Sequence, residues 1–134
     1  MTELIDSAQC NRDAFNAYRS ILKKAGRLSC RILSDSMHPL ISAGETVNIA
    51  PVPELGELRR FDIIVFLYGD RLYCHYVWSM WENPVQIQTR SLKECRSDDL
   101  PTLPDFLLGK VIDQKIGIRT RIWIILLNWF KGTA

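Results

Sequence analysis

Ser36 is the residue whose surroundings best suit covalent chemistry. It lies in the segment Ser34 to Ile41, where a β-like run leads in and Pro39 follows three residues later. Because proline cannot continue a strand, the chain must turn there. A serine just before such a turn can present its hydroxyl at a sheet edge beside unpaired backbone N–H groups, as a nucleophile with an oxyanion hole requires. Taken alone, the pattern is more typical of an ordinary turn serine.

Six segments of the chain resemble the sequence boxes of type I signal peptidases and follow in the same order. The first resembles the Ser-Gly-Ser-Met-x-Pro box around the nucleophile, and the fourth resembles Val-His-Arg-Val, where the family places its general base. The match is closest to the archaeal enzymes and to the catalytic subunit of the eukaryotic signal peptidase complex, and extends over roughly Leu28 to Ile112. The segments are Ser34–Pro39, Gly44–Ile49, Arg60–Phe66, Cys74–Val77, Thr89–Ser91 with Asp98–Asp99, and Leu108–Val111.

The resemblance implies a serine endopeptidase with Ser36 as nucleophile and His75 as general base. A serine hydroxyl is a poor nucleophile at neutral pH and needs such a base. Bacterial signal peptidases and LexA-type self-cleaving repressors use lysine in this position, whereas the archaeal and eukaryotic branch uses histidine. An imidazole can act at pH 7 without the strong pKa depression that a lysine needs. The oxyanion hole would combine the Ser36 N–H with the hydroxyl of Ser34.

The resemblance also implies an acidic residue that orients the imidazole. Asp98 follows Thr89 at the family's spacing and is predicted to contact His75. Asp99 would serve instead if the loop is shifted by one residue. No metal ion or other cofactor is expected. The substrate would be a peptide or precursor protein in extended conformation, with small residues just before the cleaved bond.

Four positions depart from the family pattern and indicate a divergent member. Asp35 replaces the glycine of the nucleophile box, and Phe61 replaces the glycine before the strand that ends at Phe66. Tyr76 stands in place of the arginine after the base, and Leu92 in place of an aspartate. His38 is close to the nucleophile, but it occupies the variable position of the box and is expected on the surface.

Two other functions compete with the peptidase prediction. A decayed peptidase fold could bind a peptide or partner without catalysis, although the presence of both Ser36 and His75 argues against decay. A LexA-like self-cleaving domain is the second alternative, and the histidine in the lysine position counts against it.

The hydrophobic pattern predicts a single, mainly β domain over residues 1–134, with a helix at each end. Residues 1–26 are predicted to form the first helix, residues 28–112 the peptidase β core, and residues 116–131 an apolar second helix. A turn at Tyr68–Asp70 is expected to join two strands as a hairpin, and Lys93 to Asp105 to form a loop. The six predicted strands are Ser29–Leu33, Thr46–Pro51, Asp62–Leu67, Arg71–Trp78, Val85–Arg90 and Leu107–Ile112.

Composition excludes several classes of partner. The 17 basic residues are scattered among 15 acidic ones, giving a net charge of +2, so nucleic acid is not expected as a partner. Two histidines and four widely spaced cysteines make a zinc site improbable. The polar opening of the chain does not match a secretory signal peptide, so reduced thiols and a cytoplasmic location are expected.

The second predicted helix carries the longest apolar stretch, Ile122 to Phe130. This stretch is far shorter than the roughly 20 residues needed to span a bilayer. Its tryptophans and flanking cations suit a helix that lies in a membrane interface, as in a peripheral membrane protein. Packing against the sheet, the first helix or a second copy of the chain is the alternative.

Overall fold

The computed structural model describes residues 4–6, 9–82 and 84–132 of the chain, and these ranges contain seven β-strands and two α-helices. Short 3₁₀ turns at Leu55–Glu57 and Pro104–Phe106 connect some of them. The elements in chain order are β1 (Leu4–Asp6), α1 (Arg12–Ala25), β2 (Leu28–Arg31), β3 (Thr46–Ala50), β4 (Ile63–Tyr68), β5 (Arg71–Trp81), β6 (Gln86–Arg90), β7 (Leu107–Val111) and α2 (Ile118–Gly132).

The seven strands form one curled sheet in the order β1-β2-β3-β7-β4-β5-β6. β1 pairs with β2 in parallel, and the other neighbouring strands are antiparallel. The predicted mainly β fold with two helices is therefore confirmed. No helix in the described residues is long and apolar enough to cross a membrane.

β4 lies near the centre of the sheet and is buried on both faces, as its unbroken apolar sequence predicts. Ile63 and Val65 belong to one cluster, which also contains Phe15 of α1 and Ile124 of α2. Ile64 belongs to a smaller cluster on the opposite face. Because successive side chains alternate across a strand, β4 divides the interior into these two layers.

The first helix is shorter than predicted. α1 begins only after Asn11, whose side chain accepts a hydrogen bond from the N–H of Ala14 at 2.8 Å. Upstream of it, β1 pairs with β2, and Asp6 forms an ion pair with Arg31 at 2.9 Å. The helical prediction over the N-terminal residues was wrong because their apolar spacing also suits a short strand. Residues 1–3 and 7–8 of that prediction lie outside the described residues.

The other predicted elements are confirmed, with small changes at their ends. The Tyr68–Asp70 turn joins β4 to β5, and β5 continues three residues beyond the predicted Trp78. α2 begins at Ile118, two residues later than predicted.

Phe61, at the entrance to β4, adopts a left-handed backbone conformation with φ +77°. This region favours glycine, so a phenylalanine here has a strained backbone. The ring of Phe61 is buried and stacks on Tyr76 at 5.8 Å between centroids, and its edge contacts Trp78 at 6.1 Å. Aromatic packing therefore offsets the backbone strain.

Comparing glycine with alanine at position 61 separates these two effects. Both Phe61→Gly and Phe61→Ala lose the ring, but only the glycine variant relieves the backbone strain of the positive φ angle. We expect Phe61→Gly to be more stable than Phe61→Ala by about 1 kcal/mol in urea unfolding. At Leu72, a buried strand residue, the same two substitutions should rank in the opposite order. Equal or greater stability of Phe61→Ala would contradict the argument.

Candidate active site

His75 lies within β5, opposite Ile64 of β4, and its side chain is 10% exposed. Phe66 and Tyr73 pack their rings against the imidazole, each with centroids 5.8 Å away. The imidazole also borders a cavity of about 180 Å³. It is therefore accessible from outside although aromatic rings pack against it. The lining residues are Phe66, Tyr68, Tyr73, His75, Asp99 and Leu100.

Asp99 is the acidic partner of this histidine. Its Oδ2 lies 2.5 Å from Nδ1 of His75 and accepts a second hydrogen bond, at 2.7 Å, from the hydroxyl of Thr89. The Asp99 backbone N–H donates to the Thr89 carbonyl at 3.0 Å, and the Gln88 amide donates to the Asp99 carbonyl. Residues Gln88 and Thr89 of β6 therefore fix both the backbone and the carboxylate of Asp99.

The pairing determines which imidazole nitrogen can accept a proton. Burial by itself would raise the pKa of the Asp99 carboxyl, but hydrogen bonds from His75 and Thr89 and charge interactions with His75 and Arg90 together lower it. Asp99 is thus ionised at neutral pH and can only accept hydrogen bonds. Nδ1 of His75 must carry the hydrogen, which leaves Nε2 of the neutral ring as an acceptor, the arrangement that a general base requires.

Asp98 does not contact His75, so the predicted spacing was wrong by one residue. Its Oδ1 lies 2.6 Å from Nε of Arg90, and its side chain is half exposed. Thr89 and Arg90 are consecutive in β6, and consecutive strand residues face opposite sides of a sheet. β6 therefore directs the two neighbouring aspartates to different partners.

Arg90 connects the loop after β6 to α2, a role that the sequence analysis missed. The buried guanidinium donates from Nη1 to the Cys95 carbonyl at 2.9 Å and to Oδ1 of Asn128 at 2.6 Å. It also stacks over Trp78 at 4.2 Å from the ring centroid. The sequence signal for this role was an arginine in a strand predicted to neighbour one that contains a tryptophan. The hydrogen-bond partners of Arg90 could not be predicted, because Asn128 is distant in the sequence.

Ser36 lies in the turn predicted from Pro39, and the next residue, Met37, is buried in the core. The Ser36 hydroxyl oxygen is 3.1 Å from that of Ser34, so the two hydroxyls of the predicted oxyanion hole and nucleophile are neighbours. The Ser36 N–H has no acceptor within the described part of the chain. His38 is exposed, as predicted, with Nδ1 at 3.4 Å from the hydroxyl of a nearby serine, Ser42.

The Ser36 turn is attached to the segment that follows β6. The N–H of Lys93 donates to the Ser36 carbonyl at 3.1 Å, and the Lys93 ammonium pairs with Asp35 at 2.8 Å. Arg90, three residues before Lys93, is paired in the sheet with Tyr76, the neighbour of His75. The Ser36 turn is thus attached to the loop after β6, and this loop also carries Asp99.

The structure does not join Ser36 and His75 directly. Among the described residues no hydrogen bond links the two side chains, and Ser36 does not line the cavity beside His75. Two pairs are therefore formed separately: Ser34 with Ser36, and His75 with Asp99.

No family model, curated protein or solved structure matches this chain. Within the described ranges, no group of three His, Cys, Asp or Glu side chains is arranged to hold a metal ion.

The lowered pKa of Asp99 predicts a pH-dependent contribution to stability. Ionised Asp99 stabilises the fold above the carboxyl's unfolded-state pKa of about 4, and this contribution is lost as pH falls through the lower folded-state value. Asp99→Asn should therefore be less stable than wild type at pH 7, and the difference should narrow by pH 3. Urea unfolding at several pH values measures it, with the exposed Asp105→Asn as the control for net charge. A gap that stays constant with pH would contradict the assignment.

Proposed function

We propose that the chain is a serine endopeptidase of the signal peptidase-like type. The observation that carries the proposal is the His75–Asp99 contact at 2.5 Å, which leaves Nε2 as a proton acceptor. The loop that carries Asp99 is also the one to which the Ser36 turn is attached through Lys93. The curled, mostly antiparallel sheet is compatible with the signal peptidase/LexA-like fold, which we propose as the finer fold assignment.

The proposed reaction has two halves. Ser36 Oγ attacks the carbonyl carbon of the scissile peptide while its proton passes to Nε2 of His75. The Ser36 N–H and the Ser34 hydroxyl donate hydrogen bonds to the resulting oxyanion. His75 then returns the proton to the leaving amine, and an ester on Ser36 remains. In the second half, water attacks this ester with the same histidine as base, and Ser36 recovers its proton when the peptide acid is released.

This mechanism requires that the Ser36 hydroxyl exchange its partner. In the resting state it is hydrogen-bonded to Ser34, and it must donate to Nε2 of His75 when a peptide is bound. Catalytic hydrogen bonds are often long or absent before the substrate is bound. The Ser34 hydroxyl released by the exchange is then free to donate to the oxyanion, so a single rearrangement supplies both groups.

Lysine is a poorer candidate for the base in this chain. The Lys93 ammonium is held by Asp35 at 2.8 Å, and the Lys110 ammonium lies 3.4 Å from Asp62. Both ammonium groups are thus engaged with carboxylates, and neither lysine lines the cavity beside His75.

A non-catalytic, peptide-binding module is the second candidate function. It is favoured by the Ser36 hydroxyl being satisfied by Ser34 with no bond to His75. Both candidates would take an extended peptide with small side chains as ligand, and they differ in the reactivity of Ser36. We also propose a cytoplasmic location for the chain.

Reaction with a fluorophosphonate probe distinguishes the two candidates. An activated Ser36 hydroxyl displaces fluoride and becomes phosphonylated, so wild type should be labelled and Ser36→Ala should not. Ser42→Ala, which removes a hydroxyl two residues after the turn, is the matched control and should label normally. Ser36→Ala should lose under about 1 kcal/mol of stability because the Ser36 hydroxyl makes a single side-chain hydrogen bond. Labelling of Ser36→Ala as strong as that of wild type would refute the nucleophile assignment, and an unlabelled, folded wild type would favour the binding module.

The two neighbouring aspartates provide a second test. Asp99→Asn removes the charge that stabilises the imidazolium and should reduce the labelling or cleavage rate by about 10²- to 10⁴-fold. Asp98→Asn changes an adjacent, half-exposed carboxylate and should alter the rate by only a few-fold. Circular dichroism of both variants checks that the fold is retained. The opposite order of effects would assign the orienting role to Asp98.

A further inference from the structure

α2 has one face packed against the protein and one face open to solvent. On the packed face, Ile124 is 1% exposed and Asn128 is bonded to Arg90. Six large apolar side chains elsewhere on the helix have exposures from 40% to 69%. We call these six the outer face of α2: Ile118, Ile122, Trp123, Ile125, Leu126 and Trp129.

The outer face is a continuous stripe. Five of its members follow each other at helical intervals of four, three, one and three residues, and Trp123 lies along one side of them. From Ile118 to Trp129 the stripe is roughly 16 Å long at about 1.5 Å per residue. A contiguous apolar surface of this kind indicates a binding surface, whereas isolated exposed apolar residues do not.

The positive charge of the protein is concentrated in the same segment. Residues 114–134 contain four of the 17 basic residues and none of the 15 acidic ones, so the segment carries +4. The thirteen basic residues elsewhere are outnumbered by the acids, which gives residues 1–113 a charge of −2. Arg119, directly after Ile118, and Lys115, three residues before it, are both exposed.

We propose that the outer face of α2 binds the interface of an anionic lipid bilayer with the helix parallel to the membrane plane. Its apolar side chains would enter the boundary between headgroups and acyl chains, where tryptophan is favoured, and the cations would contact anionic headgroups. A second copy of the chain is a poorer occupant, because pairing two such faces brings two +4 segments together.

The packed face of α2 determines how membrane binding would affect the rest of the protein. Asn128 donates to the Cys95 carbonyl at 3.2 Å and accepts from Arg90, which also holds Asp98. These contacts use the face opposite to the proposed membrane contact, so they can persist in the bound state. The loop that carries Asp99 would then be held at a fixed position relative to the bilayer, whether or not the site is catalytic.

Vesicle co-sedimentation of the full chain tests the proposal. We expect binding to vesicles of phosphatidylcholine with about a quarter phosphatidylglycerol to be at least about ten-fold stronger than to phosphatidylcholine alone, and to weaken as salt rises from about 0.05 to 0.5 M. Trp123→Ser combined with Trp129→Ser should reduce binding by about ten-fold or more. Trp81→Ser, which replaces a tryptophan that is 46% exposed on β5, is the matched control and should bind as wild type does.

The charges are tested separately from the apolar contacts. Lys115→Gln combined with Arg119→Gln should reduce binding to the anionic vesicles and leave binding to neutral vesicles unchanged. Absence of vesicle binding, equal binding to both lipid compositions, or binding by the double tryptophan variant equal to wild type would each overturn the proposal. A concentration-dependent dimer in analytical ultracentrifugation, abolished by the tryptophan substitutions and without vesicle binding, would assign the face to a second copy.

Discussion

The arrangement of the site depends on the ionised carboxylate of Asp99, which is 31% exposed and must be paired. The chain provides these partners by laying residues 99–102 along β6, where Ile87 and Thr102 exchange two backbone hydrogen bonds. This pairing covers part of the β6 edge and delivers the carboxylate to Thr89 and His75. The imidazole is then fixed by a charge-assisted hydrogen bond on one side and by aromatic rings on the other. The direction of Nε2 is thus a consequence of how one loop is bound to one strand.

The alternation of β6 organises a second set of contacts on the opposite face. Arg90 brings a buried charge into the protein, and Asp98, the Cys95 carbonyl and Asn128 neutralise or hydrogen-bond it. Charge-assisted hydrogen bonds of this kind are stronger than neutral ones, and losing one partner would leave a buried charge unsatisfied. α2 is therefore attached to the Asp98 loop by polar contacts as well as by apolar packing. These contacts hold α2 in place through its packed face, so its outer face is not needed for attachment.

The strands and α2 could be predicted because their signals are local: alternating or unbroken apolar runs, and turn residues between them. β1 could not, because three residues with a parallel partner carry too little pattern to distinguish a strand from a helical turn. The same limit applies to Asp98 and Asp99. Sequence spacing counts residues along the loop, whereas the contact with His75 depends on the register of that loop against β6. The stretch Ile122 to Phe130 was predicted either to pack or to meet a membrane; the described helix packs one face and exposes another, and the Phe130 side chain lies outside the described residues.

Two of the positions at which the chain differs from the signal peptidase boxes that it resembles have a physical compensation in the structure. Phe61, which has no freedom equivalent to glycine at φ +77°, is held by the rings of Tyr76 and Trp78. Asp35 replaces a second glycine and pairs with Lys93, and its pKa is lowered by the hydrogen bond and charge of that lysine. Because the Lys93 N–H also holds the Ser36 carbonyl, a single residue attaches the Ser36 turn to the loop after β6 through both backbone and side chain. Asp35, where the resembled box has glycine, therefore adds a contact between the Ser36 turn and the loop that carries Asp99. Since an exposed ion pair is worth little on its own, the backbone hydrogen bond must provide most of that attachment.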